Sequence, residues 1–253
     1  GNDGGVYSGS VGSTTWTNRS NGIDALESYG VSASAPGKPQ RLYRGTQDNG
    51  VARFDGTGPW TYQTCGDGAN TIVDQTSSSI AYAGCENAGL FKTVDDGANW
   101  TPIADNQDTK VPRPNPGQDS GNTSFVAPLL ADPRQPARLL EGTFRLWQSG
   151  DGGASWATVT PQGTNTIISL YGGTYSALAL GPASAPCTAD TLYAGSTNGW
   201  IQASTDDGRS WPFDTRSKVW RAVTSIAVNP TNGQEAWATL SGFNGNTSTA
   251  PGH

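Results

Sequence analysis

The sequence predicts an all-β fold built from repeated four-stranded antiparallel units, and three observations lead to this prediction. The chain has 253 residues, with 34 Gly and 16 Pro, and short runs of Val, Ile, Thr and Tyr alternate with turn-forming Gly, Asn and Asp. No stretch with a 3.6-residue period is long enough to predict a helix. One eight-residue pattern, S/T-x-D-x-G-x-x-W, occurs three times. Such a repeat indicates an architecture of equivalent units.

The three copies of this pattern have the chemistry of a hairpin clasp. They contain Thr93, Asp95, Gly97 and Trp100; Ser149, Asp151, Gly153 and Trp156; and Ser204, Asp206, Gly208 and Trp211. The Asp accepts hydrogen bonds from backbone N–H groups ahead of it, and the Gly supplies the positive φ of the corner. The Trp begins the return strand and covers the turn. Because catalysis needs one placed group rather than three equivalent ones, the pattern favours a structural role for the three carboxylates.

The pattern resembles the Asp box, or bacterial neuraminidase repeat, of sialidases, sortilin-like receptors, xyloglucanases and secreted bacterial propeller proteins. The resemblance implies a β-propeller in which each four-stranded blade carries the box between its third and fourth strands. It also implies that the box turns lie away from the face that binds ligands. The resemblance does not extend to sialidase activity, because the Arg-Ile-Pro segment typical of sialidases is absent.

Aligning the boxes divides the chain into units of four strands. Residues 25–63 form a weaker unit, with second and third strands at 41–45 and 51–54 and an altered box that ends at Trp60. Three clearer units span residues 64–103, 123–160 and 173–213. Their predicted strands are 70–74, 80–84, 89–92 and 100–103; 125–130, 138–143, 144–148 and 156–159; and 175–180, 191–195, 200–203 and 211–213.

The two ends of the chain carry complementary parts of one further unit. Residues 222–240 supply a first and a second strand, whereas residues 5–16 supply a third and a fourth with a degenerate box from Ser8 to Gly12. Pairing them would hide strand edges that an open sheet exposes. We therefore expect one domain over residues 1–253, a propeller of about five blades whose last blade is closed by the N- and C-terminal segments. The alternative is a fragment of a larger propeller of six or seven blades.

Charge and composition argue against several classes of function. The net charge of −6 and the pI of about 4.6 leave no basic surface for nucleic acid. No apolar run approaches the roughly 20 residues that cross a bilayer. The single histidine is His253, which disfavours Ser-His-Asp, Cys-His and His-ligated zinc chemistry. We expect no cofactor, and the alternative of Ca²⁺ bound by loop oxygens lacks an EF-hand spacing.

The cysteines leave two interpretations open. Cys65 ends one unit and Cys85 lies in the second strand of the next, so the two are either a disulfide or a pair of buried thiols. The resemblance to secreted proteins implies an extracellular or periplasmic location. The sequence does not indicate an oligomeric state.

Candidate functional residues lie in the turns between second and third strands and in the loops between units. The carboxylates that are candidates for catalysis are Asp48, Asp67 and Glu86, and the candidates for ligand binding are Gln47, Asn49, Asn87, Lys110, Arg113, Asn198 and Trp220. The segment 45–50 resembles a GTQDNG motif of secreted Asp-box proteins, although Asn-Gly equally suits a tight turn. Residues 105–123 are the largest departure from the repeat, and their prolines predict a defined rim or lid.

These observations favour a recognition or scaffold module that binds carbohydrate or a protein partner on the face opposite the boxes. The alternative is a glycoside hydrolase of the xyloglucanase type, or a fragment of one, which needs two carboxylates about 5 to 9.5 Å apart. Two carboxylates that face each other across an open mouth would favour the enzyme. A mouth filled by residues 105–123 would favour binding.

Overall fold

A computed structural model describes residues 6–12, 14–21, 26–37, 39–105, 111–159, 173–181, 191–216 and 221–241. Within these ranges the chain forms strands β1 to β20 and two short 3-10 helices, Glu86–Ala88 and Pro116–Asp119. None of the described helices is long and apolar enough to cross a membrane.

Four sheets of four antiparallel strands follow one another along the chain, each with its strands in sequence order. Sheet A consists of β3 (Ser28–Ala33), β4 (Leu42–Thr46), β5 (Gly50–Phe54) and β6 (Thr61–Thr64). Sheet B consists of β7 (Gly68–Val73), β8 (Ala81–Cys85), β9 (Leu90–Thr93) and β10 (Thr101–Ala104). Sheet C consists of β11 (Leu129–Asp132), β12 (Gln135–Gly142), β13 (Leu146–Ser149) and β14 (Ala157–Thr158). Sheet D consists of β15 (Tyr175–Leu180), β16 (Leu192–Ser196), β17 (Trp200–Ser204) and β18 (Phe213–Arg216). The predicted all-β fold of four-stranded antiparallel units is confirmed.

The segments nearest the two ends form separate hairpins. Strands β1 (Tyr7–Ser8) and β2 (Thr17–Asn18) make one two-stranded sheet, and β19 (Val223–Asn229) and β20 (Asn232–Leu240) make another. In the described residues these hairpins are not joined into the single four-stranded blade that the sequence predicts. The number of blades therefore stays a prediction.

Several strand boundaries differ from the predicted ones for identifiable reasons. The strand expected at 125–130 begins only at Leu129, because the Phe125 carbonyl accepts a hydrogen bond from the Asn87 amide instead of a ladder bond. The sequence predicts that the box tryptophans begin the fourth strands. They precede them instead, since β10 starts at Thr101, β14 at Ala157 and β18 at Phe213.

Each box turn is closed by one hydroxyl and one carboxylate. The Ser149 hydroxyl accepts a hydrogen bond from the Gly153 amide at 2.8 Å and donates to the Asp151 carboxylate at 2.8 Å. Asp151 also accepts from the amide and the hydroxyl of Ser155, at 2.9 and 2.6 Å. Equivalent bonds close the other two turns, where Asn99 and Ser210 take the place of Ser155. The seventh position of the motif, written x in the pattern, thus supplies a side-chain donor in each copy.

Each box turn is also fixed from outside by a cation of the preceding sheet. Arg53 of sheet A donates to the backbone carbonyl of Asp96, and Lys92 of sheet B donates to the carbonyl of Gly152 at 3.0 Å. Arg138 of sheet C pairs with the carboxylate of Asp207. All three contacted residues follow the box aspartate and have positive φ, between 59 and 70°. The cations therefore hold the most conformationally demanding corner of each hairpin.

The box tryptophans connect adjacent sheets rather than only covering their own turns. Trp156 is 5% exposed, its indole N–H donates to the Ile103 carbonyl of sheet B at 3.0 Å, and its ring lies in the cluster that contains Tyr82. Trp100 packs edge-on against Tyr43 of sheet A, with ring centroids 5.8 Å apart. The hydrophobic core is accordingly a series of layers, each between two neighbouring sheets.

In sheets A, C and D a glycine of the second strand, Gly45, Gly142 or Gly195, permits the close approach of the next sheet. A Cβ added at Gly142 would lie 2.6 Å from the Cβ of Tyr175 in sheet D. One added at Gly195 would lie 2.5 Å from a Val223 methyl of strand β19. Close-packed interiors do not accommodate such contacts. The L-Y-x-G pattern of the second strands therefore reports inter-sheet packing.

We distinguish two faces by these turns. The box face carries the box turns, residues 93–100, 149–156 and 204–211. The loop face lies at the opposite ends of the strands and carries the turns 47–49, 86–89, 143–145 and 197–199 between second and third strands.

Replacing a box tryptophan is expected to destabilise the fold across a sheet boundary. Trp156→Ala should lower the free energy of unfolding by about 3 to 5 kcal/mol, because it opens a cavity between sheets B and C and removes the bond to Ile103. The matched control is Trp237→Ala, whose side chain is 57% exposed. Chemical unfolding followed by circular dichroism measures both, and equal losses would contradict the role assigned to Trp156.

Acid is expected to weaken the box turns. The Ser155 hydroxyl lowers the pKa of Asp151 from 3.8 to about 2, and the Ser210 hydroxyl does the same for Asp206. A carboxyl whose pKa is depressed in the folded chain contributes stability above its unfolded pKa, and that contribution is lost as the pH falls through 3.8 toward 2. The urea midpoint should therefore fall below about pH 4. The fall should be smaller in the double variant Ser155→Ala, Ser210→Ala, and an identical pH dependence would argue against the clasp.

Candidate functional site

A cleft of about 540 Å³ opens on the loop face between the ends of sheets A and B. Its floor includes Cys65 and Cys85, its polar groups include Glu86, Asn87 and Asp105, and one wall is formed by the segment 117–121. The cleft therefore collects residues from three separate parts of the chain. Glu86, one of the three candidate catalytic carboxylates, lines this cleft.

The turn that carries Glu86 and Asn87 is fixed by backbone contacts on both sides. The Glu86 amide donates to the Asp67 carbonyl at 3.3 Å, and the Asn87 amide donates to the Phe125 carbonyl at 3.1 Å. Asn87 and Ala88 both have positive φ, 57° and 62°. This conformation is unfavourable for residues other than glycine, and it persists only because the surrounding contacts stabilise the turn. The side chain of Glu86 is thereby held at the cleft, and its buried Oε2 has no hydrogen-bond partner among the described residues.

Asp48 and Asp67 lie next to each other beside this turn. The backbone N–H of Asp48, in a turn with φ of 56°, donates to the Asp67 carboxylate at 2.8 Å. The Asp67 carboxylate thus stabilises the β4–β5 turn. The backbone carbonyl of Asp67 accepts a hydrogen bond from the backbone N–H of Glu86. These contacts place the three residues that carry the candidate catalytic carboxylates next to one another along the loop face.

An aromatic pair borders the same acidic region. Tyr29 and Phe125 meet edge to face, with centroids 6.2 Å apart, and Phe125 is 48% exposed. Burial raises the pKa of the Tyr29 phenol. The negative charges of Glu27, Asp67 and Asp48 raise it further. The sequence does not single out either ring, because it assigns no first strand to the unit 25–63 that contains Tyr29 and places Phe125 at the start of the predicted strand 125–130.

Cys65 and Cys85 form a disulfide, the first of the two interpretations that the sequence left open. The bond joins the end of β6 in sheet A to the end of β8 in sheet B, across 20 residues. A cross-link of this loop length is worth about 3 kcal/mol through the entropy of the unfolded chain. It also fixes the residue that precedes Glu86.

The segment 111–121 is an anchored rim, as its prolines predict. Asn115 and Gln118 form a reciprocal capping box at the start of the second 3-10 helix. Asp119, 2% exposed, accepts hydrogen bonds from the Thr143 hydroxyl at 2.7 Å and the Trp147 indole at 2.8 Å. It also pairs with the Arg145 guanidinium. The buried carboxylate of Asp119 therefore docks the rim on sheet C. At the other side of the rim, Gly117 packs closely against the backbone of Asp105.

The remaining predicted binding residues are not gathered in the cleft. Gln47 and Asn49 lie in the β4–β5 turn, where the side-chain amide of Asn49 donates to the backbone carbonyl of Gln47 at 2.9 Å. Asn198 lies in the corresponding turn of sheet D and accepts from the Ser196 hydroxyl at 2.6 Å. Arg113 is exposed on the rim. Lys110 and Trp220 lie outside the described residues.

Sequence reasoning missed four buried carboxyl groups among the described residues, Asp74, Asp119, Asp132 and Glu141. Asp119 lies in the segment 105–123, which the sequence marks only as a departure from the repeat. Glu141, 1% exposed, lies opposite Trp147 in the β12–β13 ladder, and burial raises its pKa well above the usual range. A signal existed for Glu141, since the equivalent positions of sheets B and D hold Ala83 and Ala194.

The described residues contain no group of three or more His, Cys, Asp or Glu side chains that could hold a metal ion.

Comparison with known proteins identifies the fold. No family profile and no curated protein matches the chain. Among solved structures, the chain is similar to the GH74 enzyme of Niastella koreensis, at 20% identity and a TM-score of 0.54, covering 80% of this chain and 31% of that one. It is also similar to YCF48 from Cyanidioschyzon merolae, at 13% identity and a TM-score of 0.56, covering 86% of this chain and 65% of that one. YCF48 bound to a D1 peptide matches at 15% identity and a TM-score of 0.53, covering 86% and 61%.

These structures are β-propellers, and the chain has a propeller fold. It spans about a third of the GH74 enzyme and less than two thirds of either YCF48 chain. At these identities the likeness shows the fold alone, and it does not test the Asp-box assignment.

Removing the Asp119 charge is expected to release the rim. Asp119→Asn weakens the bonds that the buried carboxylate accepts from Thr143, Trp147 and the partly exposed Arg145, which should cost about 1.5 to 3 kcal/mol, and the segment 111–121 should become sensitive to protease and exchange its amides faster. The matched control is Arg113→Gln, an exposed change in the same segment. Hydrogen exchange measured by mass spectrometry distinguishes them. Unchanged protection in Asp119→Asn would show that the rim is held by other contacts.

Proposed function

We propose that this protein is a recognition module whose loop face binds a protein partner through a basic segment, with the acidic cleft as the contact site. The observation that carries the proposal is the buried Glu86 Oε2, which has no hydrogen-bond partner among the described residues. A buried carboxylate oxygen without a donor is costly. The Glu86 side chain is partly exposed where it lines the cleft, so a Lys or Arg side chain of a partner that enters the cleft would pair with its carboxylate through a charge-assisted hydrogen bond and offset that cost.

The electrostatic surroundings support a cationic ligand. Asp105 lines the same cleft, and Asp67 and Asp48 lie beside it. The chain as a whole carries a net charge of −6. Like charges in one region attract a ligand of opposite sign and raise its association rate. One of the similar propellers has been solved with a peptide bound, which is consistent with a peptide site on this fold.

Carbohydrate is the second candidate ligand, and one feature favours it. The Tyr29–Phe125 pair borders the acidic region with an exposed ring, and an exposed aromatic face next to carboxylates and amides suits a sugar ring. A GH74 enzyme is among the similar structures. The corresponding enzymatic proposal is a glycoside hydrolase that uses Glu86 with Asp67 or Asp105.

The rim supports binding over hydrolysis. Residues 117–121 form a wall of the cleft and are docked on sheet C by Asp119. A fixed wall narrows the mouth that a polysaccharide chain would have to cross. The proposed function needs no cofactor.

The disulfide supports an extracellular or periplasmic location. Structural disulfides persist in oxidising compartments and are rare in the cytosol. The Cys65–Cys85 bond joins two sheets at the proposed site. We therefore propose that the protein works outside the cytoplasm.

The proposal is tested with three ligand panels applied to the same variants. The panels are a peptide array that ranges from Lys/Arg-rich to acidic, a glycan array, and a polysaccharide hydrolysis screen. The variants are Glu86→Gln, Asp67→Asn and Asp48→Asn. The matched control is Glu235→Gln, an exposed carboxylate on β20.

We expect basic peptides to bind and Glu86→Gln to weaken that binding about tenfold or more, equivalent to roughly 1.4 kcal/mol. The control should bind as the parent chain does, and added salt should weaken binding of the parent. Binding confined to glycans would favour the second candidate. Hydrolysis that is lost in Glu86→Gln while ligand binding remains would overturn the proposal in favour of a glycosidase.

A further inference from the structure

The aromatic pair of Tyr29 and Phe125 lies on the loop face where three sheets meet. Tyr29 belongs to β3, the first strand of sheet A, and Phe125 precedes β11, the first strand of sheet C. The Phe125 carbonyl accepts a hydrogen bond from the Asn87 amide of sheet B at 3.1 Å. The two rings meet at an interplanar angle of 76°, and Phe125 is 48% exposed. The pair is therefore a fixed aromatic surface that a ligand can reach.

Three carboxylates surround the Tyr29 side of this pair. The Glu27 carbonyl accepts a hydrogen bond from the Gln47 amide at 3.0 Å, which holds Glu27 beside the β4–β5 turn. In the same turn the Asp48 amide donates to the Asp67 carboxylate at 2.8 Å. After burial, the groups that raise the pKa of the Tyr29 phenol are Glu27, Asp67 and Asp48, and all three are acidic. The aromatic pair thus lies in a region of negative potential.

This region is continuous with the cleft at Glu86. The Glu86 amide donates to the Asp67 carbonyl at 3.3 Å. Asn87, which holds the Phe125 carbonyl through its amide, lines the cleft. Backbone contacts therefore join the cleft to the aromatic pair on both sides. A single extended segment of a partner can contact both.

Elsewhere on the loop face, the chain itself holds a cation in such surroundings. The Arg145 Cζ atom lies 4.7 Å from the centre of the Phe144 ring and 5.0 Å from that of Trp147, and the guanidinium pairs with Asp119. Among the described residues, no Lys or Arg side chain lies over either ring of the aromatic pair. The pair and its carboxylates therefore offer the same combination of groups to a cation from outside the chain.

The chemistry of the aromatic pair favours a guanidinium over other ligands. A guanidinium is planar, weakly hydrated and able to stack on an aromatic face while it donates hydrogen bonds to carboxylates. An ammonium group is a compact and strongly hydrated charge. A neutral sugar ring can stack on the pair, but only a cation also gains from the combined charge of three carboxylates.

We propose that the aromatic pair, together with Glu27, Asp48 and Asp67, binds an arginine side chain of the protein partner. The partner segment then carries two cations, one at Glu86 and one, an arginine, at the aromatic pair. This inference rests on the proposed function of the loop face and adds the identity of one partner residue.

Two peptides of equal charge test the preference for arginine. Capped hexa-arginine and capped hexa-lysine are titrated into the protein by calorimetry at one salt concentration. We expect hexa-arginine to bind the parent chain about three- to tenfold more tightly, because its guanidinium groups stack on the pair. Phe125→Leu should remove this preference, whereas Phe125→Tyr, which keeps the ring, should retain it. The matched control is Phe213→Leu, a 59% exposed phenylalanine of sheet D, which should bind both peptides as the parent does.

A second variant tests the carboxylates with both rings in place. Glu27→Gln should weaken hexa-arginine binding about twofold or more through the lost charge, and Glu235→Gln, an exposed change on β20, should not. Thermal unfolding checks that every variant is folded. Equal effects of the two Glu variants would overturn the inference, as would equal effects of Phe125→Leu and Phe213→Leu.

Glu86→Gln separates this inference from the proposed function. It should weaken both peptides and leave the preference for arginine unchanged. Equal affinities of the parent for the two peptides, with both weakened in Glu86→Gln, would overturn the arginine site and leave the proposed function in place. Binding of neither peptide would overturn both. Glycan binding that is lost in Phe125→Leu, without any arginine preference, would assign the aromatic pair to a sugar and overturn the inference.

Discussion

The fixation of each box turn against the preceding sheet is the interaction on which the rest of the structure depends. Inside the turn, a Ser or Thr hydroxyl and an Asp carboxylate close the hairpin. Outside it, Arg53, Lys92 and Arg138 each reach across a sheet boundary to the residue after that Asp. A tryptophan then fills the layer between the two sheets. One local motif therefore sets both the hairpin and the spacing of neighbouring sheets.

This constraint determines where a ligand site can form. The box face is occupied by structural contacts, and the turns between the second and third strands lie at the opposite ends of the same strands. There the chain uses backbone contacts to hold Asp48, Asp67 and Glu86 side by side. The disulfide and the docked rim add rigidity on either side. A preformed site of this kind loses little conformational entropy when it binds.

The sequence indicated the acidic part of the site but not its other components. Asp48, Asp67 and Glu86 were found because they occupy equivalent turns or links in a recognisable repeat. Phe125, Tyr29 and Asp119 were not, since their roles arise from contacts between residues far apart in sequence, such as Asp119 with Trp147. Asn198 was placed with the same logic as Asn87 but lies in sheet D, away from the cleft. The place of a residue in the repeat predicts the face on which its turn lies. It does not predict which of the sheets carries the binding site.

The sequence by itself determined the four-stranded unit, the turn chemistry of the boxes and the face on which each turn lies. These properties are local, because hydrogen-bonding side chains and positive-φ glycines within eight residues specify a hairpin. Only the tertiary structure decided that the tryptophans and cations of one sheet stabilise the next, and that Cys65 bonds to Cys85. It also decided that Glu86 faces a cleft walled by the rim. Those outcomes depend on the distance and rotation between sheets, which are set by side-chain packing across the boundary rather than by any pattern along the chain.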